Sequence, residues 1–155
     1  MRGLCCIFMA CAMLISLGCK NKSGSPAGDV QKAGDPKELE QLRGTWNVIA
    51  IVAAGNPVAQ DRVQKLALQY IFDANKITVH RPDRADNVGT FSVDTSTNPK
   101  RMTLNLGAPG RAVYALDGNK LQLCMMVDDN PNAGFPAALV STASPKADLL
   151  TLERR

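Results

Sequence analysis

One histidine, one tryptophan and no run of lysine or arginine longer than two residues set the outer limits on what this chain can do. With His80 alone, a His-Glu-x-x-His zinc signature is excluded, and no Gly-x-Ser-x-Gly elbow, Gly-rich phosphate loop or Cys-x-x-Cys pair occurs elsewhere. No catalytic residue, metal ligand set or cofactor is therefore assigned from the sequence. The formal charge of +4 is a small excess for 155 residues, and without a basic cluster it argues against a dedicated nucleic-acid groove. Aromatic residues are scarce at 5%, but a hydrophobic fraction of 45% against 21% charged excludes wholesale disorder. The length suits one domain with a leader or tail.

Cysteine is also in short supply once its positions are considered. Cys5, Cys6 and Cys11 lie in "GLCCIFMACAMLISLGC", an uncharged run between Arg2 and Lys20 with the layout of a secretory signal. The run is short for a membrane-spanning helix, which needs about 20 apolar residues, and it stops at Gly18-Cys19 before a polar segment. Ile15, Ser16, Leu17, Gly18 and Cys19 resemble a bacterial lipobox. The resemblance implies cleavage after residue 18, lipid attachment at Cys19 and a bilayer as partner. Three acyl chains at about 0.8 kcal/mol per buried methylene would make that attachment close to permanent. Lys20 in place of the aspartate associated with inner-membrane retention leans toward the outer membrane, facing the periplasm. Cys124 is then the lone thiol of the mature chain, so no intramolecular disulfide is available.

Residues 20–37, "KNKSGSPAGDVQKAGDPK", show no apolar periodicity and read as a tether. A coil of about 18 residues reaches roughly 20–25 Å. The organisation expected is thus a signal peptide at 1–18, the anchor cysteine and linker at 19–37, and a folded domain over 38–155.

That domain reads as all-β. After a helical lead-in, "PKELEQL", period-two runs broken by turn residues predict strands near 44–54, 66–73, 76–81, 88–94, 101–107, 111–117, 120–127 and 148–154, with a short extra strand at 137–141. A short helix is expected at 59–65, between the first two strands. Tight hairpins fall at Asp73–Lys76 and at "DGNK", 117–120. Eight strands joined in order form a meander that can close into an up-and-down barrel and so remove its edges. Alternation places Trp46, Val48, Ala50 and Val52 on one face, then Leu66, Leu68, Tyr70 and Phe72, then Met102, Leu104 and Leu106, then Leu121, Leu123, Met125 and Val127. Within this set Val48, Leu68, Tyr70, Leu104, Leu123 and Met125 are the candidate ligand-lining residues of a lumen. The first and last strands are apolar on both faces, and the 59–65 helix is the expected cover.

Other polar features read plainly. His80 alternates away from Ile77 and Val79 and should face solvent, as should the mixed-charge stretch "HRPDRAD" at 80–86. Nothing in the sequence brings His80 to Cys124 as a nucleophile and base. In "VDDNPNAGFP", 127–136, Asp128, Asn130 and Asn132 have calcium-loop spacing, but the glycine is one place late and Leu139 stands where the bidentate glutamate belongs. Cys124 lies opposite Leu121, Leu123 and Met125 in alternation and is expected beneath the 128–147 loop as a structural residue.

Six segments in order resemble a small lipocalin-like domain of unknown function found in many copies in planctomycete bacteria. They are Leu42-x-Gly44-Thr45-Trp46, Gly55-x-Pro57, "YIFDANKITV", Gly89-Thr90-Phe91, "NPKRMTLNL" and "YALDGNKLQLC", followed by a leucine-rich end with arginine. Asn119, where aspartate is usual, and "FPAALVS" depart from the pattern. The resemblance covers about residues 39–155 and implies a lipocalin-like barrel in which Arg154 or Arg155 lies over Trp46, with Gly44 beside it, to close one end. The functional expectation is a non-enzymatic, lipid-anchored envelope domain that binds a small apolar ligand, an envelope protein or a cell-wall polymer. A structural or protein-interaction module with a side-chain-filled barrel is the alternative, and an isomerase or hydrolase at the barrel mouth a further one.

Overall fold

Helix α1 (Pro36–Leu42) opens the domain because Asp35 caps it, its carboxylate accepting the Lys37 N–H, and Pro36 supplies a preset φ at the first helical position. A computed structural model describes residues 34–127 and 134–154. After α1 come strand β1 (Gly44–Ala53), the two-residue strand β2 (Asn56–Pro57) and helix α2 (Gln60–Leu66). Strands β3 (Gln69–Asp73), β4 (Lys76–Arg81), β5 (Arg84–Asp94), β6 (Lys100–Asn105), β7 (Pro109–Asp117) and β8 (Lys120–Met126) then follow as a meander. The two-residue β9 (Thr142–Ala143) and the long β10 (Lys146–Arg154) complete the chain.

Pairing is antiparallel throughout, in the order β1-β3-β4-β5-β6-β7-β8-β10, and β10 returns to β1 to close an eight-stranded barrel. The short β2 and β9 pair with β1 and β10 as flaps. The fold is the all-β, lipocalin-like barrel expected, with a helix between the first two long strands. Such a barrel is compatible with a binding domain.

Its interior is one continuous core containing Trp46, Val48, Tyr70, Phe72, Ile77, Phe91, Met102, Leu104, Tyr114, Leu121, Leu123, Leu150 and Leu152. The strand alternation expected at β6 and β8 holds for Met102, Leu104, Leu121 and Leu123, all buried, while Val127 falls beyond β8 and is exposed. Strand β1 differs from the simple pattern. Its register with β10 shifts between Val48 and Ala50, a bulge that reverses the facing, so Ile51, across from Leu150, joins the core instead of Ala50 and Val52. The expected strand at 66–73 begins only at Gln69, because α2 runs through Leu66 and ends on Ala67 in the left-handed conformation. Leu66 therefore belongs to the helix.

Two further expectations are corrected. The strand expected at 88–94 starts earlier, at Arg84, while the 80–86 stretch is the solvent-facing turn expected, the tip of the β4–β5 hairpin, held by Arg81 with Asp83 and by His80 with Asp86. The short extra strand is at Thr142–Ala143 and not at 137–141. Residues 134–141 instead lie on the outside of the barrel, where Phe135 and Leu139 pack on the buried cluster of Val113, Cys124 and Ala147. This segment covers the outer face of β7, β8 and β10. Helix α2, the expected cover, packs on β1 and sends Val63 into the main core.

Gly89 shows how close the strands approach. A Cβ built there would overlap the Asn105 carbonyl oxygen, which explains a glycine in the middle of β5.

Candidate binding site

One end of the barrel is built around Trp46, which is fully buried. Its indole Nε1–H donates to the Leu42 carbonyl at 2.7 Å, tying α1 across the opening. The Arg154 guanidinium lies over the ring, 4.4 Å from its centroid, and donates to the Gln41 carbonyl. Among the described residues, the Arg154 Nε is buried without a hydrogen-bond partner, and the guanidinium is held by the indole face together with the Gln41 carbonyl. Gly44, two places before Trp46, has φ +123°, a conformation that side-chain-bearing residues rarely adopt, and Arg154 passes beside it. Gly44, Trp46 and Arg154 thus meet at one place, and Trp46 and Arg154 bond to the backbone of α1.

Sequence reading missed a polar cluster at the same end. Lys100 Nζ donates to both carboxylate oxygens of Glu38 at 2.8 Å, and the Tyr114 hydroxyl donates to Glu38 Oε1 at 3.1 Å. Glu38 projects from α1 and is buried, which a carboxylate tolerates only with such partners. Burial, and then the adjoining Glu38 carboxylate, push the Tyr114 phenol far above its usual range. Lys100 was legible only as a residue near a strand start, since α1 is remote from β6 in sequence. Beside this end a cavity of about 240 Å³ is lined by Gln41, Leu116, Asp117, Gly118 and Arg154, a mixed polar surface.

The six candidate lumen residues sit as follows. Val48, Tyr70, Leu104 and Leu123 are buried in the continuous core, and Leu68 and Met125 are partly buried against it. None of them lines the larger cavity, which has a volume of about 410 Å³ and lies outside the barrel. Met126 and Ala147 form its barrel side, and Phe135, Pro136, Val140 and Pro145 its outer walls. The volume is at the low end of the range for small-molecule sites. Among the described lining side chains Thr142 alone carries a hydrogen-bonding group, and its hydroxyl already donates to the Pro145 carbonyl.

The covering segment is pinned from three directions. Ser141 Oγ donates to the Ala147 carbonyl at 2.7 Å and accepts the Gly55 N–H at 2.8 Å, while the Cys124 thiol donates to the Val140 carbonyl at 3.4 Å. Phe135 is held from the barrel side, with Arg101 at 4.9 Å and Arg111 at 6.0 Å from its ring centroid. The available sequence signal was "FPAALVS" itself, an apolar run where a surface loop should be polar.

Cys124 is fully buried under this cover, and burial pushes its thiol up, which disfavours the nucleophilic thiolate. His80 lies on β4 with its Nδ1 2.6 Å from Asp86 Oδ1, and this pair is partly exposed. No group of three or more His, Cys, Asp or Glu side chains able to hold a metal occurs among the described residues. Cys19 and residues 128–133 of the calcium-like stretch lie outside the described residues. No helix among the described residues is long and apolar enough to cross a membrane. No family model matches the chain, and none of the curated proteins does.

Proposed function

We propose that this chain is a non-enzymatic binding domain of the cell envelope, held to a bilayer through lipid on Cys19. Its ligand is a compact apolar molecule, or the apolar part of an envelope protein or cell-wall polymer. The observation that carries the reading is the 410 Å³ cavity between β8, β10 and the 134–145 segment, whose described lining side chains are apolar apart from Thr142. The packed lumen supports a site on the outer face over one inside the barrel, and to that extent supports the interaction-module reading as well. Anchoring rests on the lipobox-like residues Ile15 to Cys19, and an outer-membrane position facing the periplasm on Lys20. Membership of the planctomycete-type lipocalin-like family rests on the six segments from Leu42 to Cys124.

Native mass spectrometry of the protein extracted from its own host tests the binding reading. A bound mass should accompany the wild type and be lost from Ala138→Trp, which fills the cavity from an exposed wall position. Survival of the bound mass in that variant would place the site elsewhere. Labelled palmitate should enter the wild type and not Cys19→Ala, and no label in the wild type would end the anchoring proposal.

A further inference from the structure

The closed end of the barrel meets α1 through donors on the strands and acceptors on the helix. Lys100 of β6 and Tyr114 of β7 donate to the Glu38 carboxylate, Trp46 of β1 to the Leu42 carbonyl and Arg154 of β10 to the Gln41 carbonyl. The apolar share of the contact is smaller: Leu42 is buried and Leu39 partly so, while Pro36, Lys37, Glu40 and Gln41 are exposed. A helix of seven residues cannot hold its shape alone in water. α1 therefore exists only while docked, and its ties are made or lost together.

The docked helix is held less firmly than the barrel beneath it. Taking the Glu38 carboxylate out of water offsets much of what its pairing with Lys100 gains, and the Lys100 side chain, 37% exposed, already reaches solvent. Arg154 Nε is buried without a hydrogen-bond partner among the described residues, so the docked guanidinium is incompletely satisfied. The barrel, in contrast, is an unbroken ring of paired strands over a continuous apolar core. The joint between the two is distinct as well. Gly44 pairs with Phe72 and so belongs to the sheet, and its φ of +123° turns the chain toward α1 in a conformation that glycine adopts without strain. Arg43, exposed and paired with Asp73, is the single residue between helix and strand.

We propose that α1 is a lid, which lifts as one unit about Arg43 and Gly44, uncovers Trp46 and frees Lys100 and Tyr114 while the eight strands stay paired. Elements with few buried apolar contacts open in such local steps, at a lower free energy than global unfolding. The lid does not depend on the binding reading, because the 410 Å³ cavity shares no residue with α1 or its ties.

Hydrogen exchange followed by NMR on the isotopically labelled full chain, in phosphatidylcholine nanodiscs, tests the lid. Three protons report on it: the Leu39 and Arg43 amides, which donate to the Asp35 and Leu39 carbonyls, and the Trp46 indole N–H on Leu42. All three should share one opening constant, at least about a hundredfold larger than that of the β7 and β8 amides. Because little surface is exposed when the lid lifts, that constant should barely change in low urea. Leu104 lies in the core and pairs with Phe91 and Gly110, toward the other end of β6 from Lys100. Leu104→Ala should speed the β7 and β8 amides by at least about thirtyfold and leave the three lid protons unchanged. Different opening constants for the three protons would reduce the movement to fraying and overturn the lid. Equal acceleration of lid and strand protons by Leu104→Ala, or one urea slope for both in the unmodified chain, would show that α1 opens only with the barrel and overturn it as well.

Discussion

Replacing Trp46 probes the closed end of the barrel more directly than any other substitution. The ring is fully buried, and burying 150–250 Å² of aromatic surface at about 25 cal/mol per Å² gives roughly 4–6 kcal/mol before relaxation. Measured large-to-small substitutions at such sites cost about 3–5 kcal/mol, which is the range expected for Trp46→Ala. Two effects push toward its upper end. The Leu42 carbonyl loses its 2.7 Å donor, and the Arg154 guanidinium loses the ring it lies over. Trp46→Phe keeps most of the apolar volume but not the N–H donor, so about 2 kcal/mol is expected. Urea unfolding followed by far-ultraviolet circular dichroism is the assay, because the sole tryptophan is removed; the midpoint should fall with little change in slope. A small domain has about 5–15 kcal/mol in total, so Trp46→Ala should be near its limit. A double-mutant cycle with Arg154→Ala should give a coupling of about 0.5–2 kcal/mol. A loss below about 1 kcal/mol for Trp46→Ala, or zero coupling, would refute the account of barrel closure.

At the same end, Lys100→Ala should cost about 2–3 kcal/mol, because removing the lysine strands a buried carboxylate. Glu38→Leu should cost about 1–3 kcal/mol, because Lys100 can turn to solvent but the buried Tyr114 hydroxyl loses its acceptor; a loss below about 1 kcal/mol for Lys100→Ala on chemical denaturation would count against this. Burial pushes the Tyr70 phenol up to about 12, so between pH 10 and 12 the unfolded chain releases a proton that the folded chain keeps. The contribution of Tyr70 to stability is therefore intact below pH 10 and falls by roughly 2 kcal/mol by pH 12. Because Tyr114 is shifted upward too, absorbance at 295 nm should show tyrosinate only as the protein unfolds; a phenol ionising near pH 10 in the folded protein would contradict this. Cys124 in the native protein should react with iodoacetamide at neutral pH far more slowly than an unhindered thiol, and Cys124→Ser should cost about 1 kcal/mol. Rapid alkylation would show that the 134–141 cover does not shield it.

Much of the barrel follows from local pattern. Period-two alternation turns successive side chains to opposite faces, so the facing of Tyr70 with Phe72, Met102 with Leu104, and Leu121 with Leu123 is legible without knowing what they touch. Hairpins at Asp73–Lys76 and Asp117–Lys120 then order neighbouring strands, since a two-residue connection leaves little choice of partner. Those same rules placed Cys124 on the outer face. They failed in β1, where one inserted residue at the bulge reverses facing, because a bulge is settled by how β1 must fit β10 and not by the residues of β1 alone.

The cavity was decided by tertiary structure. "FPAALVS" carries neither helical nor strand period, and only its docking on Val113, Cys124 and Ala147 turns an apolar loop into a wall. The Glu38, Lys100 and Tyr114 cluster and the stacking of Arg154 on Trp46 likewise join elements distant in sequence. Sequence determines which face a side chain takes through the short-range geometry of the strand. Which remote group meets it, and what space is left between them, depends on how the closed barrel and its covering segment pack.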